Sequence, residues 1–96
     1  MIAVTATFKV APENAEAFEA VIAELTAATL ANEPGVSLYQ LGRSQKDPTF
    51  YRLLELYADK EALDAHMNSE WFKAAGPKLG ALLAERPLLE KFDTVG

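Results

Sequence analysis

The stretch Phe50-Tyr51-Arg52-Leu53-Leu54-Glu55-Leu56-Tyr57-Ala58 decides the fold of this 96-residue chain. Hydrophobic residues fill both of its alternating sets of positions, and each set holds one charged residue, Arg52 or Glu55. Such a run is typical of a β-strand that is covered on both faces. The two faces are Phe50, Leu54 and Leu56 on one side, and Tyr51, Leu53 and Tyr57 on the other.

The segments before this strand predict a hairpin and a helix. Residues 36–45 are expected to form a strand, joined to the strand at 50–58 by the turn Lys46-Asp47-Pro48-Thr49. Upstream, hydrophobic residues recur at helical spacing over 13–31, and Asn32-Glu33-Pro34-Gly35 ends that helix. Residues 2–10 alternate between apolar and polar side chains, which predicts a first strand.

The segments after it predict two helices and a last strand. Asp59 is a suitable N-cap for a short helix over 60–68, and Ser69 is one for a helix from about residue 70. A strand over 88–95 completes the order β-α-β-β-α-β, which predicts a ferredoxin-like α+β fold. In that fold a four-stranded antiparallel sheet carries its helices on one face. Three residues are expected to weaken or kink the later helix: Gly76, Pro77 and Gly80.

Composition limits the class of protein. Residues 1–96 are expected to form one domain, since 50% are hydrophobic and only 24% are charged. There is no cysteine, which suits a cytoplasmic protein, and no signal peptide or membrane span is recognisable. The net charge of −5 argues against nucleic acid as a partner. Between Lys9 and Arg43 every charged residue is a glutamate, interpreted as a solvated helix face: Glu13, Glu16, Glu19, Glu24 and Glu33.

The predicted sheet has more hydrophobic surface than two helices can cover. The strand at 50–58 is apolar on both faces, and Tyr39 and Leu41 are expected to add to the uncovered side. A large wet apolar patch is unusual on a monomer. We therefore expect a homodimer in which two sheets pack face to face.

Several segments, in this order and spacing, resemble the antibiotic biosynthesis monooxygenase family of small dimeric α+β barrel proteins. The likeness covers almost the whole chain. It is carried by Phe8-Lys9-Val10-Ala11-Pro12, Glu33-Pro34-Gly35-Val36 before Tyr39, Asp47-Pro48-Thr49-Phe50-Tyr51, Glu55-Leu56-Tyr57-Ala58-Asp59, and Ala62-Leu63-Asp64-Ala65-His66 with Ser69 and Phe72.

The resemblance implies a homodimer in which each subunit keeps a small cavity between its sheet and its helices. Relatives oxidise phenolic, quinol or polyketide-like aromatics with O₂ and need neither metal nor flavin, so no cofactor and no metal site are expected. The family also includes haem-degrading members and isomerases. Haem degradation is disfavoured, because Gly76 follows Phe72-Lys73-Ala74-Ala75 where those members hold iron with a histidine, and the first strand has no asparagine.

His66 and Glu55 are the candidate catalytic residues. His66, the one histidine of the chain, could accept a proton from a substrate hydroxyl. Glu55 lies mid-strand among apolar residues, and a buried carboxylate needs a partner. We expect Glu55 to orient His66. The alternatives are that His66 bonds a nearby carboxylate structurally, and that Glu55 pairs with Arg43 or Arg52 or lies at the dimer interface.

Aromatic residues are the candidate substrate-binding groups. Trp71, with Tyr51, could form walls that stack on a planar substrate, although Trp71 could equally fill the core. Tyr39 could hold a substrate carbonyl or fill the dimer seam. Phe72 is also a candidate, although it lies on the helical core stripe.

The first hypothesis is a homodimeric monooxygenase, free of metal and flavin, that oxidises a small phenol, quinol or enol-type aromatic. Two alternatives stay open from the sequence. One is a dimeric module that binds a small hydrophobic ligand without chemistry, and the other is a cofactor-free isomerase that uses His66 and Glu55 to move protons.

Overall fold

The computed structural model describes residues 1–96 as one antiparallel sheet with helices packed on one side. The strands lie in the order β2-β3-β1-β4, so the two terminal strands of the chain are neighbours. This arrangement confirms the predicted ferredoxin-like α+β fold. None of the helices has the length and apolar character needed to cross a membrane. The elements are β1 Ile2–Lys9, a 3₁₀ turn Pro12–Asn14, α1 Ala15–Asn32, β2 Val36–Arg43, β3 Phe50–Tyr57, α2 Lys60–Met67, α3 Glu70–Leu82 and β4 Leu88–Asp93.

Both predicted N-caps are present. The side chain of Asp59 accepts a hydrogen bond from the backbone N–H of Ala62 at 2.8 Å, which begins α2. Ser69 accepts from the N–H of Phe72 at 3.2 Å, which begins α3. Because the two caps follow each other closely, α2 and α3 meet at a sharp break, and His66 lies in the last turn before it.

The helix α3 continues through Pro77, although proline removes a hydrogen bond from the helix interior. The residues expected to weaken this helix, Gly76, Pro77 and Gly80, therefore do not end it. Its inner side packs on α1 and over the sheet, and Ala75 is its one fully buried residue.

The covered face of the sheet forms the core. Val4, Ala6 and Phe8 of β1 alternate towards the helices, as predicted, and are buried. They meet the buried stripe of α1, in which Phe18 packs its ring 5.2 Å from that of Phe8. The stripe of α1 consists of Phe18, Ile22, Leu25 and Thr29.

The other face of the sheet is open. Leu54 of β3 is 43% exposed and Phe92 of β4 is 49% exposed, and both belong to this face. The expectation that Tyr39 adds to it is wrong, because Tyr39 is buried on the helix side. An irregularity of register between Val36 and Leu38 shifts the alternation of β2, so Leu38 takes the open side and Leu41 stays with Tyr39.

The acidic helix face is also corrected at one position. Glu13, Glu16, Glu19 and Glu24 are exposed, as expected of a solvated surface. Glu33 instead lies at the C-cap of α1 and is buried. Its side chain therefore turns into the protein, away from the solvent.

Candidate functional site

A cavity of about 230 Å³ lies between the sheet and the helices. Most of its lining is hydrophobic, supplied by β1 and by the inner sides of α1 and α3. It opens between α3 and β4, where the lining residues Gly76, Gly80, Leu89 and Lys91 are exposed. A cavity of this kind suits a small apolar molecule.

Glu55 supplies a carboxylate to this lining. It is 7% exposed, and Tyr57 donates a short hydrogen bond to its Oε1. Its second oxygen makes no hydrogen bond within the chain, so it is available to a bound molecule. Burial raises the pKa of Glu55 to about 7, against the lowering effect of the hydrogen bond from Tyr57. The group can therefore accept or release a proton near neutral pH.

His66 also lines the cavity and is 1% exposed, and Tyr57, which bonds Glu55, packs against its ring. Its Nδ1 is 2.9 Å from Oε2 of Glu33, and its Nε2 is 3.3 Å from the hydroxyl of Tyr39. The ring packs among three aromatic rings, with centroid distances of 5.2 Å to Tyr39, 5.6 Å to Tyr57 and 5.0 Å to Phe72. The imidazole is thus fixed in position and orientation.

Glu33 is the residue that holds His66. Its Oε2 accepts from Nδ1 of His66 and from Nε1 of Trp71, the latter at 2.6 Å. Because a carboxylate oxygen accepts the proton on Nδ1, Nε2 is left free to accept one from Tyr39. The other oxygen of Glu33, Oε1, is buried without a hydrogen-bond partner.

Tyr39 connects the two acid–base groups. It stands directly opposite Glu55 across the β2–β3 pair, so the two side chains are neighbours on the covered face. Burial raises the pKa of Tyr39 well above its usual value, and the charges of Glu55 and Glu33 raise it further. The hydroxyl therefore keeps its proton and can act as a hydrogen-bond donor.

The expected contact between Glu55 and His66 is not formed. Both ring nitrogens of His66 bond to other residues, Glu33 and Tyr39, while Glu55 bonds to Tyr57. The alternative of a Glu55 ion pair with an arginine is not formed either. Glu55 faces the helices, whereas Arg52 on the same strand points to the open side.

The predicted aromatic walls divide into two groups. Tyr39 and Phe72 line the cavity together with His66 and Glu55. Trp71 instead lies along a groove between α1 and α3. Tyr51 packs its ring 4.9 Å from Phe18, and its hydroxyl donates to Glu19 at 2.5 Å outside the cavity. Neither Trp71 nor Tyr51 therefore touches the space that a ligand would occupy.

Sequence reasoning missed Glu33, although one local signal pointed to it. An acidic residue at a helix C-terminus faces the negative end of the helix dipole and is unfavourable there. Glu33 takes that position, which indicates a role outside the helix. Lys91, the single cation of the cavity lining, was also missed, because β4 has no regular apolar pattern.

Comparison of the sequence with known protein families identifies the family of this chain. The sequence profile described as antibiotic biosynthesis monooxygenase matches residues 1–78. The chain belongs to the antibiotic biosynthesis monooxygenase family. The match includes Glu33, Tyr39, Glu55 and His66, whereas β4 lies beyond it. No functionally curated protein matches the chain in a sequence search.

Several solved structures have nearly the same backbone as this chain. A candidate antibiotic biosynthesis monooxygenase from Caulobacter crescentus is 45% identical with a TM-score of 0.95, over 99% of this chain and 90% of that one. A conserved protein from Methanosarcina mazei is 28% identical with a TM-score of 0.91, over 95% and 89%. A further antibiotic biosynthesis monooxygenase is 29% identical with a TM-score of 0.90, over 100% of both chains.

Proposed function

We propose that this protein is a monooxygenase that uses O₂ to oxidise a small phenol, quinol or enol-type aromatic without a metal or flavin. The observation that carries the proposal is the unpartnered carboxylate oxygen of Glu55 in a mostly hydrophobic cavity. Beside it lies the Glu33–His66–Tyr39 hydrogen-bonded chain. Family membership supports the reaction class.

The first step is removal of the substrate hydroxyl proton. Glu55, with a pKa of about 7, takes this proton, and the substrate becomes a phenolate or enolate. Tyr39 stays protonated, so its hydroxyl can turn from His66 to the new oxyanion. When that hydroxyl points back to His66, the imidazole, held by Glu33, can accept a second proton through it.

The phenolate or enolate of the substrate supplies all the electrons that reduce O₂. It passes one electron to O₂, and the substrate radical and superoxide combine into a peroxide that takes up the proton from Glu55. Glu55, ionised again, takes the remaining proton of that carbon, the O–O bond breaks, and the released hydroxide takes up a proton and leaves as water. The carbon that is CH₂ in the keto form of the substrate thus becomes C=O, with one oxygen atom of O₂ in the product and the other in water. The net change, CH₂ plus O₂ to C=O plus H₂O, is balanced and needs no external reductant.

The test uses chelator-treated protein, ¹⁸O₂ and an anthrone-type substrate, with the product analysed by mass spectrometry. We expect one ¹⁸O atom per product carbonyl, formed faster than without protein, and a strong loss of rate in Glu55→Gln. Glu16→Gln, which alters an exposed carboxylate on α1, should match the wild type. A wild-type rate equal to that of the protein-free reaction with every aromatic offered would rule out the proposal.

An isomerase is the second candidate, and one observation favours it. Glu55 and His66 are two separate proton-carrying groups that line the same cavity. Such a pair could remove a proton from one carbon and return it to another. This activity would show as deuterium exchange from D₂O into a substrate without O₂ uptake.

We also propose that the protein is a homodimer that packs the open faces of two sheets together. Support comes from the hydrophobic side chains on the open face of the sheet. The other face of the sheet is already buried under the helices. Since the cavity lies on the opposite side of the sheet, dimerisation would leave its lining in place. The exposed side chains are Leu38, Leu54, Leu88 and Phe92.

A further inference from the structure

Two glycines lie on the cavity side of α3, in the middle of the helix. Gly76 and Gly80 are one turn apart and belong to the same stripe as Phe72, Ala75 and Leu79. Glycine is among the weakest helix formers, and Pro77 between them weakens the helix further. The chain thus keeps unfavourable residues where the helix borders the cavity. Rules of local stability are most often broken at functional sites.

Packing does not explain these glycines. A Cβ atom built at Gly76 or Gly80 would meet no atom within 4 Å. Gly35 is different, because a Cβ there would lie 2.7 Å from Cβ of Ala62. Gly35, just before β2, is therefore needed for the close approach of this segment to α2, whereas Gly76 and Gly80 border empty space.

The cavity that these glycines border also contains a carboxylate oxygen without a hydrogen-bond partner. Glu55, nine-tenths buried, presents an unpartnered oxygen to the same cavity that both glycines line. Unlike Oε1 of Glu33, this oxygen is not sealed inside the protein, so a hydrogen-bond donor on a molecule in the cavity can reach it. Between the glycines and Glu55 the lining is almost entirely hydrophobic, which suits a ring.

Resting on the proposed function, we propose that Gly76 and Gly80 are specificity-determining residues for a substrate with fused aromatic rings. Without side chains, they leave the wall of the entrance flat. One ring then lies against the backbone of α3 at the entrance, opposite Leu89, while the hydroxyl on the inner ring reaches Glu55. A methyl group at either position would occupy the space of the outer ring but not that of the inner one.

The test compares the binding of 1-naphthol and phenol by equilibrium dialysis under nitrogen, so that binding is measured without turnover. In Gly76→Ala and Gly80→Ala we expect the Kd of 1-naphthol to rise about tenfold, the lower end of the effect of one methyl group in an apolar pocket, because the added methyl group competes with the outer ring at the open entrance. The Kd of phenol should change little. The melting temperature should rise in both variants, because alanine is the better helix former.

Gly42→Ala is the matched control. Gly42 is on β2, where a Cβ would make only an ordinary contact at 3.8 Å with the carbonyl oxygen of Arg52. Both Kd values should stay at wild-type level.

Unchanged 1-naphthol binding in both α3 variants would overturn the proposal. A fall in their melting temperature, or no saturable 1-naphthol binding by the wild type, would also overturn it. If the dialysis results hold but no oxygenation occurs, only the proposed function fails.

Discussion

His66 and Glu33 are hydrogen-bonded through Nδ1 and Oε2 at 2.9 Å, and both side chains are buried. The chain separates them by 33 positions. The contact joins the last turn of α2 to the end of α1 and fixes which nitrogen of His66 faces Tyr39. It therefore links the geometry of the site to the packing of two helices.

Removing the charge of Glu33 should loosen His66. In Glu33→Gln we expect a loss of about 2 kcal/mol in the free energy of unfolding, since hydrogen bonds to a charged group are lost or weakened. Turnover should fall as well, because the imidazole is no longer held in one tautomer. Urea denaturation and steady-state rates measure the two effects. Glu16→Gln, on the exposed face of α1, is the control, and a Glu33→Gln protein equal to it would contradict this role.

Stability should depend on pH through Glu55. Burial raises its pKa from 4.5 to about 7 in the folded protein. Between these values the folded chain keeps a proton that the unfolded chain has released, so stability falls as the pH rises and levels off above about 7. The loss that this group contributes is about 3 kcal/mol. Denaturation between pH 5 and 8 should show this slope in the wild type and not in Glu55→Gln. Parallel curves for the two proteins would contradict the assignment.

Activity should show the opposite trend with pH. The proposed base is the ionised form of Glu55, so the rate should rise with pH and level off above about 7. Conditions that favour the reaction are thus those in which Glu55 destabilises the fold. A pH–rate profile on the same substrate as the ¹⁸O₂ experiment measures this. A profile that is flat between pH 5 and 8 would exclude Glu55 as the base.

Two tyrosines on the covered face provide a matched pair. Tyr39→Phe removes the hydroxyl that bonds His66 and should lower the rate by about 10²-fold. Stability should fall by about 1 kcal/mol, because Nε2 of His66 loses its partner. Tyr51→Phe removes a hydroxyl that bonds Glu19 outside the cavity, so the rate should stay unchanged. Equal rates in the two variants would exclude Tyr39 from the mechanism.

The open face of the sheet should carry the dimer. Leu54→Glu places a charge at the centre of that face, and we expect sedimentation velocity to show single chains where the wild type shows dimers. Leu30→Glu is the control, because Leu30 is similarly exposed but lies on α1. A wild-type protein that sediments as a well-folded protomer at micromolar concentration would end the dimer proposal.

The sequence by itself determined the elements of this protein and their order. The alternation in residues 2–10, the run at 50–58 that is apolar on both faces, and the caps Asp59 and Ser69 are short-range signals that specify strands and helices directly. The order of those elements then restricts the fold to very few arrangements. His66 and Glu55 were predicted as site residues from their chemistry together with the family resemblance, and both line the cavity.

Only the tertiary structure decided which side chains meet. Glu33 follows a helix among exposed glutamates, and its burial depends on how α1, α2 and α3 pack together. Tyr39 lies on the opposite face of the sheet from the one predicted, because β2 has one irregularity of register that no short sequence pattern shows. Periodicity reports which face of its own element a residue lies on, whereas a contact across 27 or 38 positions depends on the placement of whole elements. That placement is set by the packing of the complete core.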